Sequence, residues 1–509
     1  MKLLVVHQTP AVRERYNRNY MIRIEVRDER YLYNIYHLAE AFYPSEKTEQ
    51  RINGDMKEDA RITVSGRWTR SFDVSGAEDK KMRKFLLDKA VYEALAECAS
   101  HGLAWGILTG VRPTKLAMQK VEEGMEREAF ISWFGQEFYV SGDKAGLAYD
   151  IAVREKRVLR GMDLRQGYSL YVSIPFCPTV CSYCSFSSGS LAVWKNMVDD
   201  YLEALCRELR YIGSVSGGRR LNTIYIGGGT PAALEAEQLE RLLSCIDETF
   251  SREYLLEYTI EAGRPDSITR EKLQVIRDHR ASRISINPQT MQQRTLDRIG
   301  RRHSTEEVVN SFLTAREMGF DNINMDLIAG LPGETAEDMK DTLRQIKELA
   351  PDSLTVHSLA IKRAAKMGQE KSVLGYVKDL EEQMKNPAQM AAEVSQMIEA
   401  AGEAAEEMEL TPYYLYRQKN IAGNFENVGY AEVDKAGIYN ILIMEEKQSI
   451  VAAGAGAQTK LLLPLPVSVS GGRNEKLTTL KRVENVKNIR DYILRIDEMI
   501  ERKGEWLWR

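Results

Sequence analysis

Residues 168–186 read YSLYVSIPFCPTVCSYCSF, an apolar, β-branched run followed at once by three cysteines. The run at 168–176 predicts a buried strand, and Cys177, Cys181 and Cys184 lie in the loop after it. The remaining cysteines of the chain are scattered and are typical of small core residues. Clustered thiols without a disulfide framework indicate metal or redox chemistry.

Three chemistries compete for this cysteine loop. A zinc site usually takes two pairs of ligands, and the sequence shows no second pair. A redox dithiol would use the Cys-x-x-Cys spacing of Cys181 and Cys184, but it leaves Cys177 unexplained. A [4Fe–4S] cluster on three thiolates leaves one iron open to a small molecule. The missing fourth ligand therefore favours a cluster that binds and acts on a ligand.

Six apolar, β-branched runs recur between residues 168 and 359, and amphipathic segments with helical spacing separate them. The runs are YSLYVSIPF (168–176), LNTIYIGGG (221–229), LEYTIEAG (256–263), ASRISINPQ (281–289), NINMDLIAG (322–330) and SLTVHSL (353–359). This alternation predicts parallel strands with helical crossovers, in either an open doubly wound sheet or a full or partial barrel. In both architectures the site lies at the C-terminal ends of the strands.

The ends of these runs carry residue types that suit a polar ligand. The glycines of GGGTP (227–231) leave backbone N–H and C=O groups accessible, although GGGTP alone is equally a tight turn. Strand-end carboxylates and amides suit ribose hydroxyls, and an arginine suits a carboxylate. In chain order these side chains are Glu261, Gln289, Arg301 and Asp326. Singly, each is as readily a loop residue or part of a structural ion pair.

A chain of 509 residues exceeds one hydrophobic core, so we expect several domains. Alternating and helical segments predict an α+β N-terminal domain over 1–165, the core over 166–364, and a helical bridge with a C-terminal domain over 365–509. A net charge of −4 gives no reason to expect a nucleic-acid partner. No apolar run approaches the roughly 20 residues that span a bilayer. We therefore expect a cytoplasmic protein without a membrane partner.

The Cys-x3-Cys-x2-Cys loop, directly after the first of six strands, resembles the signature of the radical S-adenosylmethionine (SAM) superfamily. The resemblance implies an α/β fold with a partial (β/α)6 barrel, a [4Fe–4S] cluster on the three cysteines, and SAM chelating the open iron. IYIGGGTP and MDLIAGLPGET narrow it to the oxygen-independent coproporphyrinogen III dehydrogenase branch. WGILTGVRPTKL (105–116) and PYYLYRQKNIAGNFENVGYA (412–431) resemble its HemZ-type subgroup.

The same resemblance implies a reaction and a set of SAM contacts. Two propionates of coproporphyrinogen III would be oxidatively decarboxylated to vinyl groups, with an electron donor such as flavodoxin or ferredoxin. The implied contacts are Tyr171, Tyr183, Gly228, Gly229, Thr230, Glu261, Gln289, Arg301, Asp326 and His357, the last through its backbone. Relatives that share the core suggest two alternatives: a haem-binding trafficking protein, or a radical SAM enzyme acting on another tetrapyrrole.

Cations near the barrel mouth are candidates for binding the propionates of such a substrate. They are Arg302, Lys362 and Arg363, with Arg417 and Lys419 as weaker candidates from the C-terminal region. A solvated charge cluster is the plain alternative for each of them. One position departs from the branch, because its founding members carry a further cysteine where this chain has Phe186.

Overall fold

The computed structural model describes residues 21–43, 46–74, 76, 79–110, 112–359, 387–417, 425–471 and 474–508. Within this part the chain forms two compact units. The first comprises 21–153 with 387–395, 416–417 and 425–427, and the second comprises 154–359, 396–415 and 428–508. The domain boundaries at 165/166 and 364/365 stay predictions.

The first unit is an α+β domain built on a four-stranded sheet in the order β2-β1-β3-β4. Its elements are β1 (Met21–Val26), α1 (Glu29–Phe42), β2 (Lys47–Ile52), β3 (Ala60–Val64), β4 (Trp68–Phe72), α2 (Lys80–Ala99), α3 (Thr114–Glu122), α4 (Arg127–Phe138) and α5 (Gly142–Val158), whose last residues fall in the second unit. The inward faces of the sheet and of α1 and α2 share one hydrophobic core.

The alternating apolar pattern that begins at Met21 ends at Val26, because the chain continues there into helix α1. Asp28 caps this helix by accepting a hydrogen bond from the Arg30 N–H at 2.9 Å. The buried positions then recur at helical spacing from Tyr31 to Phe42. The strand is therefore short, and a helix follows it because Asp28 is an N-cap residue.

The second unit contains the six strands expected from the sequence, each paired in parallel with its neighbour. In chain order its elements up to residue 358 are β5 (Gly167–Ile174), β6 (Phe176–Cys177), β7 (Gly189–Ser190), α6 (Leu191–Trp194), α7 (Val198–Val215), β8 (Arg220–Gly228), α8 (Ala236–Thr249), β9 (Glu257–Gly263), α9 (Arg270–Asp278), β10 (Arg283–Ile286), α10 (Gln293–Arg298), α11 (Thr305–Glu317), β11 (Ile323–Ala329), α12 (Ala336–Leu349) and β12 (Ser353–Ser358). The α/β fold with a parallel, partial-barrel core is thereby confirmed.

The C-terminal segment extends this parallel sheet on both sides. Its elements are α13 (Pro387–Glu407), β13 (Thr411–Arg417), β14 (Glu426–Ala431), α14 (Ile438–Glu445), β15 (Ser449–Ala453), β16 (Gln458–Gly471), β17 (Asn474–Glu484), α15 (Ile489–Leu494) and α16 (Ile496–Gly504). The full order is β13-β14-β12-β11-β10-β9-β8-β5-β15-β16-β17. Strand β15 runs parallel to β5, and β14 runs antiparallel to β12. In the described part of the chain, no helix has the length and apolar character needed to cross a membrane.

A buried polar network ties helix α16 to helix α7 and to the loop after β15. The Glu208 carboxylate is fully buried and accepts hydrogen bonds from Lys503 Nζ at 2.6 Å and Tyr492 Oη at 2.7 Å. It also accepts from the Gly454 N–H at 2.8 Å and from Asn485 Nδ2 at 2.9 Å. Because every partner is satisfied, the network holds the loop after β15 in one position.

Removing one member of this network should destabilise the second unit. Lys503→Met leaves the Glu208 carboxylate buried without its cation, a change that typically costs about 3–5 kcal/mol. We expect a clearly lower Tm in differential scanning calorimetry. The double variant Glu208→Gln/Lys503→Met removes both charges and should recover most of the loss. A double variant no more stable than Lys503→Met would show that the charge pair does not hold α16.

Candidate active site

The glycine turn after β8 is hydrogen-bonded to the end of β5 and to the start of the cysteine loop. The Gly229 N–H donates to the Ile174 carbonyl at 2.7 Å, and the Thr230 N–H donates to the Phe176 carbonyl at 2.8 Å. A Cβ on Gly229 would lie 2.5 Å from the Phe176 oxygen, and Gly228 has a φ of +109°. Both positions therefore require glycine, because the two backbones approach closely.

The thiols of Cys177, Cys181 and Cys184 are near enough to one another to interact electrostatically, and Cys177 lies beside this turn. Thr230 Oγ1 donates to Cys177 Sγ at 3.6 Å. Burial raises the pKa of the Cys177 thiol, and it raises that of Cys184 to about 11, with neighbouring thiols adding to the effect. None of the six cysteines forms a disulfide. The three side chains thus form one electrostatically coupled group at the C-terminal end of β5.

The donor set fits an iron–sulfur cluster better than a single ion. Among the described residues, no three His, Cys, Asp or Glu side chains are grouped closely enough to bind one metal ion. A [4Fe–4S] cluster places each thiolate on a different iron, so its ligands stand further apart than those of a mononuclear site. The three free thiols are the donors that such a cluster would use.

Arg264, directly after β9, anchors the middle of the cysteine loop. Its Nη1 donates to the Thr179 carbonyl at 3.0 Å and to Thr179 Oγ1 at 2.7 Å, and it lies 4.0 Å from Cys181 Sγ. Asp266 binds the other two guanidinium nitrogens at 2.9 and 2.6 Å. Within residues 261–266 (EAGRPD), the sequence analysis names Glu261 as a candidate but not Arg264. An arginine two residues before an aspartate, directly after a predicted strand, is the sequence pattern that could have indicated Arg264.

The turn after α10 supports the loop from another side and carries Arg301. The Ile299 carbonyl accepts from both the N–H and the Oγ of Ser182, at 3.2 and 3.1 Å. Arg301 is only 4% exposed, and its Nη1 lies 3.5 Å from Tyr183 Oη. Its Nε has no hydrogen-bond partner within the described residues. Arg301 and Tyr183 are therefore brought together, with one buried donor left for a ligand.

Glu261 lies inside the barrel within a group of tyrosines. Tyr225 Oη donates to the Glu261 carboxyl. The Tyr225 ring stacks on Tyr439 with centroids 4.4 Å apart, and Tyr171 lies 6.1 Å from each of these rings. Burial raises the pKa of Glu261 to about 7, although the Tyr225 hydrogen bond opposes the shift. Tyr225 and Tyr439 were missed from sequence, because neither position carries a recognisable motif.

Asp326 on β11 and His357 on β12 lie next to each other, and Gln289, three residues after the end of β10, pairs with β11. Burial opposes ionisation of Asp326, but His357, whose Nε2 lies 3.9 Å from Asp326 Oδ2, and a hydrogen bond from Asn324 outweigh it and lower its pKa. Asn324 Nδ2 donates to Asp326 Oδ1 at 2.7 Å. Gln289 adopts a left-handed φ of +70°, and its N–H donates to the Asp326 carbonyl at 2.9 Å. The backbone of Gln289 is thus tied to β11 beside the carboxylate.

The cations predicted to bind substrate differ in burial, and three of them lie outside the described residues. Arg302 is exposed next to Arg301. Arg417 is buried in the first unit, where its Nη1 donates to the Leu108 carbonyl at 2.6 Å and its guanidinium lies over Trp105. These contacts pack Arg417 within that unit, and its role as a propionate contact stays a prediction. Lys362, Arg363 and Lys419 lie outside the described residues. Phe186, at the position of the founding members' extra cysteine, is 73% exposed.

Comparison with known proteins first defines the class. A family model described as the radical SAM superfamily matches residues 171–346, which include the cysteine loop and the glycine turn. The oxygen-independent coproporphyrinogen-III oxidase-like protein HemZ of Bacillus subtilis (strain 168) is 36% identical over 468 residues, covering 87% of this chain and 91% of that protein. The chain therefore belongs to the HemZ family within the radical SAM superfamily. Membership in that superfamily implies a [4Fe–4S] cluster and SAM.

Other relatives match a shorter part of the chain. The heme chaperone HemW of Bacillus subtilis (strain 168) is 37% identical over 194 residues, 38% of this chain and 50% of that protein. The oxygen-independent coproporphyrinogen III oxidase of Escherichia coli (strain K12) is 35% identical over 193 residues, 38% of this chain and 42% of that protein. The solved structure of coproporphyrinogen III oxidase (HemN) from Escherichia coli aligns with a TM-score of 0.46 and 22% identity over 68% of this chain and 73% of that one.

Gly229→Ala should destabilise the second unit, because its Cβ would lie 2.5 Å from a backbone oxygen that cannot move independently. Overpacking of this kind typically costs about 1–3 kcal/mol. We expect a lower Tm by circular dichroism. Gly217→Ala is the matched control, since nothing lies within 4 Å of its added Cβ. Equal Tm values for the two variants would contradict the close approach of turn and loop.

Glu261 should make stability depend on pH. Its pKa rises from the ordinary 4.5 to about 7 in the folded chain, so the folded state retains a proton that the unfolded chain loses. The stability from this group is complete below about pH 4.5 and is lost as the pH rises through about 7. The Tm of Glu261→Gln should therefore fall less than the Tm of the wild type between pH 5 and pH 8.

The control for this prediction is Glu203→Gln, on the exposed face of α7. It should keep the pH dependence of the wild type in the same calorimetric measurement. If Glu261→Gln and the wild type lose the same Tm between the two pH values, the raised pKa of Glu261 is wrong.

Proposed function

We propose that this chain is a radical SAM enzyme that decarboxylates two propionates of coproporphyrinogen III to vinyl groups, giving protoporphyrinogen IX in anaerobic haem synthesis. One observation carries the proposal: the loop of Cys177, Cys181 and Cys184 is clamped to a glycine turn at the C-terminal edge of parallel strands. The resemblance to HemZ over most of the chain directs the choice of substrate.

The three cysteines are our proposed cluster ligands, with SAM lying across the strand ends. When bound, cluster and SAM supply a carbon-centred radical that removes a hydrogen atom from the propionate side chain. The turn of Gly228 and Gly229 leaves room at the backbone for the methionine part of SAM. Arg301 Nε, buried without a partner within the described residues, supplies a donor for its carboxylate.

The carboxyls within the barrel suit the ribose of SAM. Glu261 is oriented by the Tyr225 hydroxyl, and Asp326 by Asn324 and His357. Carboxyl groups held in this way do not reorganise when they bind hydroxyls, which favours a single orientation of the ligand. Tyr171, Tyr183, Thr230 and Gln289 complete the proposed set.

The propionates of the substrate require cations. We propose Arg302 for this role, because it is exposed beside Arg301, and Lys362 and Arg363 stay predictions outside the described residues. An electron carrier such as flavodoxin or ferredoxin would deliver the electron that each SAM cleavage consumes. We place the reaction in the cytoplasm on the expectation from the sequence.

A second candidate is a haem-binding trafficking protein. The similarity to the heme chaperone HemW favours it, because the chain is 37% identical to HemW over 194 residues and only 35% identical to the oxidase of Escherichia coli over 193 residues. Both candidate functions include a cluster, but only the enzyme would convert coproporphyrinogen III to product.

The deciding experiment is anaerobic. After cluster reconstitution, the wild type with reductant, SAM and coproporphyrinogen III should release 5′-deoxyadenosine and a product lighter by two formic-acid equivalents, measured by mass spectrometry. Deoxyadenosine with unchanged coproporphyrinogen would point to another tetrapyrrole. Neither product, together with stoichiometric haem binding, would favour the trafficking protein.

Cysteine variants test the ligand assignment in the same experiment. Cys177→Ser, Cys181→Ser and Cys184→Ser should each lose most of the iron and the visible absorbance of the cluster. Cys206→Ser is the matched control, because Cys206 is buried on α7 away from the loop. Full cluster content in any of the three variants would contradict its assignment as a ligand.

A further inference from the structure

Arg264 is a buried cation that no part of the proposed chemistry uses. It is 3% exposed, and it follows the last residue of β9. Its side chain pairs with Asp266 through two parallel hydrogen bonds, Nε to Oδ1 and Nη2 to Oδ2. This bidentate pair fixes the plane of the guanidinium and therefore the direction of the remaining nitrogen, Nη1.

That remaining nitrogen faces the cysteine loop. It donates two hydrogen bonds to Thr179, and Cys181 Sγ lies 4.0 Å away. Thr179 lies midway between Cys177 and Cys181, so Arg264 holds the loop segment that joins two of the proposed ligands. A lysine in its place would keep the charge but could not form the same parallel pair.

A cation held here acts on the electrostatics of the site. A cluster becomes more negative when it takes up an electron, and a nearby positive charge stabilises the reduced form more than the oxidised form. The effect is strong when the charge is buried, because solvent does not screen it. Asp266 opposes the effect, but Arg264 lies between it and the thiol.

We propose that Arg264 is a positioning residue that also raises the reduction potential of the cluster, with Asp266 setting the position of its charge. This inference rests on the proposed function, since it requires Cys181 to be a cluster ligand. Arg264 favours electron entry into the site, and it holds Thr179 so that the loop keeps one shape in both redox states.

The test measures the midpoint potential of the reconstituted cluster by an anaerobic titration followed by electron paramagnetic resonance. Arg264→Gln should make reduction about tenfold less favourable, which corresponds to a shift of about 59 mV to more negative potential. Arg264→Lys keeps the charge and should shift the potential by less than half as much. Asp266→Asn removes the opposing charge and should shift it in the other direction.

Lys272→Gln is the matched control. Lys272 lies on α9, shortly after the same turn, and its Nζ donates to the Ala232 and Ser267 carbonyls rather than facing the cysteines. It should leave the potential unchanged. An equal shift in Lys272→Gln would show a general charge effect and overturn the inference.

The outcomes separate the inference from the function on which it rests. A wild type that binds no cluster overturns the proposed function and the inference with it. If Arg264→Gln has the midpoint potential of the wild type but a lower cluster content, Arg264 has a purely structural role and the inference is overturned. If Arg264→Gln retains too little cluster to titrate, the opposite shift in Asp266→Asn decides: its presence supports the inference and its absence overturns it.

Discussion

The close approach of two backbones underlies the whole site. The glycine turn donates from Gly229 and Thr230 to the last carbonyls of β5 and the first of the cysteine loop, at 2.7 and 2.8 Å. These bonds fix the position of the first residues of the loop. The short strand β6 adds little, since in the described part of the chain it pairs with the two residues of β7. Every other support, from Arg264 to the turn at Ile299, acts on a loop whose first residue is already placed.

The interior of the barrel depends on the C-terminal segment. Glu257, at the start of β9, accepts hydrogen bonds from the N–H groups of Ile438 and Tyr439 and so holds the N-terminus of α14. Burial raises the pKa of Glu257, but these N–H donors and the charge of Arg283 oppose the rise. Tyr439 is thereby placed against Tyr225, the donor to Glu261. A residue almost 180 positions downstream thus helps to orient a proposed ligand contact.

The sequence predicts the strands well because their apolar runs are continuous and end in glycine or polar residues. The run at 256–263 corresponds to Glu257–Gly263, and that at 353–359 to Ser353–Ser358. The proposed ligand residues follow from the same strand ends. The sequence does not predict Tyr439 or the pairing of β15 with β5, because both depend on contacts between distant segments. Arg264 was missed because its role is defined by Asp266 and Thr179 in space.

The pKa values of two neighbouring carboxyls, Glu261 and Asp326, are shifted in opposite directions by their surroundings. Asp326 receives a hydrogen bond from Asn324 and lies 3.9 Å from His357 Nε2, and both neighbours favour the ionised form and lower its pKa despite burial. Among the described residues Tyr225 donates to Glu261, and the negative charge of Asp326 adds to the effect of burial, so the pKa of Glu261 is about 7. Near neutral pH, Glu261 therefore either donates or accepts a hydrogen bond, whereas Asp326 only accepts. The ribose contact proposed above uses this difference, because the two neighbouring hydroxyls of a ribose each donate and accept.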